Sequence, residues 1–129
     1  QGINRIDPIS GTGQMATLSS HFLNGVDGTH AVHVSVKLIH LNGNGDRQIV
    51  FAAYSDDGGR FAHEVAAMAD DSYEMVIASG AYFKQQPLPR DKAQILEEIV
   101  IRFSMPDPGA RYHIPVIMSP NSYSCWWSS

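Results

Sequence analysis

The sequence predicts an all-β fold, namely a two-sheet β-sandwich of about eight strands with one short helix. First, apolar and polar residues alternate with a period of two through most of the chain, as in half-buried antiparallel strands. Second, turn-forming residues separate these segments at intervals of roughly 8–12 residues, which is typical of a sandwich. Third, the chain has 129 residues, 43% of them hydrophobic, which is enough to form the core of one domain.

Eight segments carry the strand pattern. In the clearest, residues 30–41, Val32, Val34 and every second residue up to His40 share one face. In chain order, the predicted strands are residues 17–24, 30–41, 48–55, 60–65, 72–78, 97–105, 111–118 and 122–127. Pro115 lies inside the seventh of them. Because proline has no backbone N–H, that segment is expected at a sheet edge or with an unpaired position.

Short polar segments separate the strands. Residues 42–46 (NGNGD) and 55–59 (SDDGG) predict turns, since Asn and Gly accept positive φ angles. Between the fifth and sixth strands, residues 79–86 predict the short helix, with Ser79 as its N-cap and Pro87 at its end.

Residues 1–14 differ from the rest of the chain. They are rich in Gly, Ser and polar residues, and they follow neither a helical nor a strand period. The first methionine is Met15. We therefore interpret residues 1–14 as a vector remnant or flexible leader, and residues 15–129 as the folded domain.

The composition excludes several classes of function. The formal net charge of −4 argues against a nucleic-acid binder, which needs a basic face. The longest apolar runs are shorter than the ~20 residues of a membrane-spanning helix. A single cysteine, Cys125, excludes an internal disulfide framework and a cysteine-built zinc site. With no targeting signal recognised, we expect a reducing compartment, either the cytoplasm or the peroxisome.

Candidate chemistry is sparse when each motif is considered alone. The chain has six histidines, but the His30-x-x-His33 pair would point to opposite faces of a strand and is a poor metal site. We interpret most of these histidines as solvated surface residues and Cys125 as a small buried strand residue. Nucleotide-binding, serine-hydrolase and metalloprotease motifs are not found.

Residues 112–124 (YHIPVIMSPNSYS) resemble the closing signature of the transthyretin family, and more closely that of its 5-hydroxyisourate hydrolase branch. Three further segments agree in order. Residues 18–24 (LSSHFLN) resemble the opening L-T-T-H-V-L-D of that branch, residues 31–38 (AVHVSVKL) its second strand, and residues 57–60 (DGGR) its D-x-G-R turn. The resemblance extends over residues 15–129.

The resemblance implies a transthyretin-like sandwich that forms a homo-oligomer, a tetramer built as a dimer of dimers. It also implies three catalytic residues, His21, Arg60 and His113, acting on a small cyclic substrate without a metal or cofactor. Two histidines can exchange protons near neutral pH, and a guanidinium can stabilise the negative charge on an attacked ring carbonyl.

The C-terminal tail departs from the family pattern. The family's closing Y-R-G-S is replaced by residues 126–129 (WWSS), so that its tyrosine and arginine are lost. Asn24 stands where the family has Asp, and Arg111 replaces the first histidine of H-Y-H. Because the family's tail lies at the substrate site, the resemblance implies four substrate-binding residues: Ser124, Trp126, Trp127 and Ser129.

Three functions stay open on this basis. The first is hydrolytic ring opening of 5-hydroxyisourate. The second is a repurposed enzyme that cyclises, isomerises or hydrolyses a more apolar cyclic metabolite in a biosynthetic pathway, since two indoles make a drier pocket. The third is a binding protein for small ligands without catalysis. The two tryptophans could also pack a subunit interface instead of a substrate.

Overall fold

The structure, a computed structural model, describes residues 14–87 and 93–129. The predicted leader therefore lies, apart from Gln14, outside the described residues. The elements in chain order are β1 (Ala16–Asn24), β2 (Ser35–Leu41), β3 (Arg47–Tyr54), β4 (Arg60–Val65), β5 (Ser72–Ile77), α1 (Ser79–Lys84), β6 (Ile99–Ser104), β7 (Arg111–His113), β8 (Val116–Ser119) and β9 (Ser122–Cys125).

These strands form two sheets packed face to face. One sheet has the order β4-β1-β8-β9, with β7 also paired to β1, and the other has the order β3-β2-β5-β6. Strand β1 runs antiparallel to β4 and parallel to β7 and β8. The inward-facing side chains, among them Leu18, Phe22, Leu38 and Met75, are fully buried between the sheets. The predicted all-β sandwich with one short helix is confirmed.

Pro115 explains why the strands number nine instead of about eight. It splits the predicted strand 111–118 into β7 and β8. The N–H of Trp126 donates to the carbonyl of Pro115 at 3.4 Å, but proline has no N–H with which to return the bond. The hydrogen-bond ladder with the C-terminal strand is interrupted at Pro115 and resumes at Val116, which pairs with Cys125 of β9.

The predicted second strand began too early. Strand β2 starts at Ser35, because His33 has a positive φ of 60° and turns the chain. Val32, predicted to share the buried face, is 41% exposed, whereas Val34 is buried. The N–H of His33 donates to the backbone oxygen of Ser55, and the N–H of Val34 donates to the Ser55 hydroxyl. These contacts take the place of strand pairing at residues 33 and 34.

Two smaller expectations were wrong. Helix α1 begins at Ser79 itself, which is buried, and its N-cap is Ala78 without a side-chain cap bond. Cys125 is exposed instead of buried, since β9 is the edge strand of its sheet. Within residues 14–87 and 93–129, no helix is long and apolar enough to span a bilayer.

Candidate active site

The candidate site lies on the outward face of the β4-β1-β7 side of the first sheet. In β1, buried residues alternate with half-buried ones, so Ser19 and His21 both point away from the core. Directly paired residues share a face of a sheet. Arg60 on β4 is paired with His21, and His113 on β7 is paired with Ser19. The three predicted catalytic side chains therefore lie on one face, over three adjacent strands.

The turn before β4 fixes Arg60. Asp56 Oδ1 accepts hydrogen bonds from the N–H groups of Gly58 and Arg60, both at 2.9 Å. The bond from the Arg60 N–H is the main reason that the pKa of the Asp56 carboxyl lies below its usual value. Gly59 has a φ of +75°, and a Cβ there would lie 2.5 Å from the carbonyl oxygen of Phe22. Only glycine lets this turn lie against β1 and bring Arg60 beside His21.

His113 is held from two sides. Its Nδ1 atom lies 2.8 Å from Oγ of Ser19, within hydrogen-bond distance. Its backbone exchanges both hydrogen bonds with Ser128, at 3.0 and 2.7 Å. The C-terminal tail is therefore attached alongside β7, next to the candidate catalytic imidazole.

A cleft of about 450 Å³ opens between these residues. Its floor includes the small side chains of Ser19 and Ala62, which are paired across β1 and β4. Larger charged and polar groups stand around this floor: Arg60, Arg111 and His113. Small residues in the centre and long ones at the rim are the physical reason that a cavity exists on this sheet face.

The environment of His21 favours its neutral form. Burial lowers the pKa of the imidazole, and the positive charge of Arg60 lowers it further. His30 and His113 act in the same direction, whereas a hydrogen bond with the backbone of Gly58 raises the pKa. A histidine that is neutral at physiological pH can accept a proton.

Residues 18–127 match the transthyretin family, described as the HIUase/Transthyretin family. The chain belongs to this family. A 5-hydroxyisourate hydrolase 2 of Rhizobium meliloti (strain 1021) is 29% identical to this chain over 115 residues, which cover 87% of this chain and 95% of the relative. A 5-hydroxyisourate hydrolase of Caulobacter vibrioides is 30% identical over 117 residues, covering 89% of this chain and 100% of the relative.

Two solved structures share the family's fold with this chain. Klebsiella pneumoniae 5-hydroxyisourate hydrolase has a TM-score of 0.71 and 25% identity, covering 89% of this chain and 100% of that chain. An (S)-allantoin synthase has a TM-score of 0.77 and 24% identity over 90% of this chain, which spans 44% of the synthase's length. The transthyretin-like sandwich is thereby confirmed. The named hydrolases confirm the prediction that this family member is an enzyme of the hydroxyisourate hydrolase type.

The predicted substrate-binding residues of this family member do not all lie at the cleft. Ser129 lines it, together with its neighbour Ser128. Ser124 is exposed on β9 and is paired with Ile117, away from the cleft lining. Trp126, 48% exposed, is also outside the lining.

Trp127 lies on the opposite side of the tail from the cleft. Its ring centroid is 6.3 Å from that of Tyr112, and it lines a separate apolar pocket of about 320 Å³ with Phe103 and Ile114. The paired residues His113 and Ser128 continue the register of β8 and β9, so adjacent tail residues alternate between the two faces. This alternation separates Trp127 from Ser128.

Sequence reasoning missed three residues beside the candidate trio: Ser19, Arg111 and His30. The alternation of β1 could have indicated Ser19, since it lies two residues before His21. Arg111 was noted only as a replacement. His30, interpreted as a solvated surface residue, lies with its Nδ1 2.9 Å from Nε2 of His21.

His40, also interpreted as a solvated histidine, is half-buried and has an acidic partner. Its Nε2 lies 2.7 Å from Oδ2 of Asp71, and its ring stacks on Tyr73. This pair lies at the β3-β2-β5-β6 sheet, and neither residue lines the cleft. No group of three or more His, Cys, Asp or Glu side chains that could hold a metal ion occurs among residues 14–87 and 93–129.

Proposed function

We propose that this chain catalyses the hydrolytic ring opening of 5-hydroxyisourate, with His21, Arg60 and His113 as its catalytic residues and no metal or cofactor. The observation that carries the proposal is the shared outward face of these three side chains. Arg60 and His113 line one cleft, and His21, which is not part of its lining, is paired directly with Arg60. Relatives named 5-hydroxyisourate hydrolase, which match over nearly their whole length, support the choice of substrate.

Each residue has a distinct role in the proposed reaction. His21, held neutral by its surroundings, takes a proton from water, and the resulting hydroxide oxygen bonds to the ring carbonyl carbon. Arg60 stabilises the negative charge that develops on the carbonyl oxygen. The carbon–nitrogen bond of the ring then breaks, and His113 delivers a proton to the leaving nitrogen. One water is consumed and no electron acceptor is needed.

Arg111 adds a second guanidinium to the proposed substrate site. It lines the same cleft as Arg60, and neither side chain has an ion pair with a carboxylate in the described part of the chain. Forked guanidinium donors match a planar, oxygen-rich or anionic ring. Four tail residues are proposed to contact the substrate once copies of the chain assemble. Ser129 lines the cleft, whereas Ser124, Trp126 and Trp127 precede it in the tail and lie outside the cleft lining.

The proposed assembly is a homo-oligomer, a tetramer formed as a dimer of dimers. The edge strands β6 and β9 end the two sheets, and every residue of β9 is exposed. Unpaired strand edges are suited to pairing with a second copy. The exposed thiol of Cys125 fits a reducing compartment, the cytoplasm or the peroxisome. Sedimentation analysis of the purified chain tests the tetramer, and a monomer at micromolar concentration would contradict it.

The decay of freshly prepared 5-hydroxyisourate, followed by absorbance, tests the reaction. We expect the purified protein to accelerate it and His113→Ala to remove most of that acceleration. His63→Gln is the matched control, because His63 is an exposed histidine of β4 that does not line the cleft. If the wild-type protein leaves the decay rate unchanged, the proposed substrate is wrong.

A second function is favoured by one observation, the two exposed indoles of the tail. Trp126 and Trp127 are 48% and 64% exposed, and they could form an apolar wall for a different cyclic metabolite that is cyclised, isomerised or hydrolysed. In that case, the double variant Trp126→Tyr with Trp127→Arg is expected to raise activity on 5-hydroxyisourate. No gain in a folded double variant would exclude the tail as the determinant of the substrate.

A further inference from the structure

His30 occupies a defined position at the end of β1. It forms an isolated antiparallel bridge with Leu23. On either side, the N–H of Asn24 donates to the carbonyl of Thr29 at 2.8 Å, and the N–H of Ala31 donates to the carbonyl of Phe22 at 2.9 Å. These bonds attach His30 to β1 although it lies in a loop.

The side chain of His30 meets that of His21 on the outward face. Nε2 of His21 is 2.9 Å from Nδ1 of His30, and the ring centroids are 5.0 Å apart. A neutral imidazole has one N–H, so in this contact one ring donates and the other accepts. If His21 donates through Nε2, its Nδ1 keeps the lone pair that can exchange a proton with a substrate.

We propose that His30 is a positioning residue for His21. Its Nδ1 accepts a hydrogen bond from the Nε2–H of His21, which fixes the tautomer and orientation of that ring and leaves the lone pair on Nδ1 of His21. When Nδ1 of His21 takes a proton from water, the Nε2–H bond to His30 keeps the ring in its orientation. This inference rests on the proposed function, since it assigns His30 to the reaction of His21.

The groups around His21 allow us to predict the direction in which its pKa changes when His30 is removed. Arg60 faces it from β4, His113 from β7, and His30 from the loop, and all three lower its pKa. Asp56 in the adjacent turn has its Oδ1 bound to backbone N–H groups. Removing the His30 imidazole removes one of these three contributions. The pKa of His21 should therefore rise.

The first test measures His21 directly, by ¹⁵N NMR of the imidazoles in the full chain. In the wild-type protein we expect one tautomer of His21, protonated at Nε2. In His30→Ala we expect mixed tautomers and a higher titration midpoint. The control is His33→Asn, because His33 lies in the same loop outside the cleft and Asn tolerates its positive φ. An unchanged tautomer and midpoint in His30→Ala would overturn the proposal.

The second test is kinetic. We expect His30→Ala to lower kcat by about 10- to 100-fold, with KM within about twofold, because orientation of a catalytic base is lost and not substrate binding. The acid limb of the pH profile should move to higher pH. His30→Asn, whose amide oxygen can accept from Nε2 of His21, should recover part of the loss. Equal kcat and an equal pH profile in His30→Ala would count against the proposal.

The two tests distinguish this inference from the proposed reaction. If the wild-type protein does not act on 5-hydroxyisourate, the substrate assignment fails, but the tautomer and titration of His21 still decide the role of His30. If His30→Ala folds poorly by circular dichroism, the tautomer of His21 in the wild-type protein decides. A wild-type His21 protonated at Nδ1 refutes the proposal.

Discussion

The two sheets each place a pair of arginines on their outward face, but only one pair binds a carboxylate. On the β3-β2-β5-β6 sheet, Arg47 and Arg102 both bind Glu74, at 2.8 and 2.7 Å, and this carboxylate is buried. On the other sheet, Arg60 and Arg111 line the cleft and have no ion pair with a carboxylate among residues 14–87 and 93–129.

We interpret this difference as one between charges that hold the fold together and charges that would serve the proposed reaction. Glu74 accepts charge-assisted bonds from two guanidiniums, and these bonds connect strands β3, β5 and β6. Around the cleft, the neighbours of the guanidiniums include an imidazole, small side chains and the Asp56 carboxylate, whose Oδ1 is bound to backbone N–H groups. Positive charge left unpaired beside titratable groups is a feature of sites that bind and transform a ligand.

The largest expected effect comes from removing a guanidinium at the cleft. Arg60→Ala should lower kcat/KM for 5-hydroxyisourate by about 10²- to 10³-fold, because the charge on the attacked oxygen loses its partner. Steady-state kinetics of the variant measure this. The control is Arg102→Ala on the other sheet, which should keep its activity. Equal losses in both variants would remove the distinction between the two faces.

Filling the cleft floor should have a smaller effect, which a substitution on the other sheet again controls. Ala62→Leu places a larger side chain between Arg60 and His113, and we expect KM to rise about tenfold as substrate is excluded. Ala52→Leu is the matched control, since Ala52 is an exposed alanine of the other sheet. Should Ala62→Leu bind and turn over substrate normally, the cleft is not the substrate site.

The pair that binds Glu74 should matter for stability instead of activity. Glu74→Gln is expected to lower the free energy of unfolding by about 1 kcal/mol, a modest value because both arginine heads are partly exposed. Hydrogen bonds from Arg102 and then Arg47 hold the pKa of Glu74 below its ordinary 4.5. Its stabilisation is therefore complete above that pH and is lost as the pH falls below it.

Urea unfolding at about pH 7 and at about pH 3 measures both parts of this prediction. The wild-type protein and Glu74→Gln should differ near neutrality and converge in acid. Turnover per folded molecule should be the same for both. A difference that persists unchanged in acid would show that the carboxylate charge is not the stabilising feature.

The alternation in the sequence predicted most of the fold, whereas the candidate trio came from the family resemblance. Strand periodicity fixes which side of β1 His21 points to, and the Asp56–Gly59 turn chemistry brings Arg60 beside it. Periodicity could not predict the contact between His21 and His30, which depends on a loop conformation set by long-range bonds. Nor could it predict the pairing of Glu74 with two arginines, because that requires the order of strands within the sheet.

The smallest expected effect is a shift in the pKa of His21, which should depend on Arg60 beside it and not on Arg102 of the other sheet. The pKa of His21 lies below 6.5 through burial and then through Arg60, so in the wild-type protein the acid limb of kcat/KM should have its midpoint below 6.5. The unfolded chain binds this proton first as the pH falls, so His21 also makes stability decrease below 6.5. In Arg60→Ala, the NMR titration midpoint of His21 should rise, whereas Arg102→Ala should leave it in place. An unchanged midpoint in Arg60→Ala would mean that Arg60 does not act on the imidazole, and the contrast between the two faces would lose its electrostatic basis.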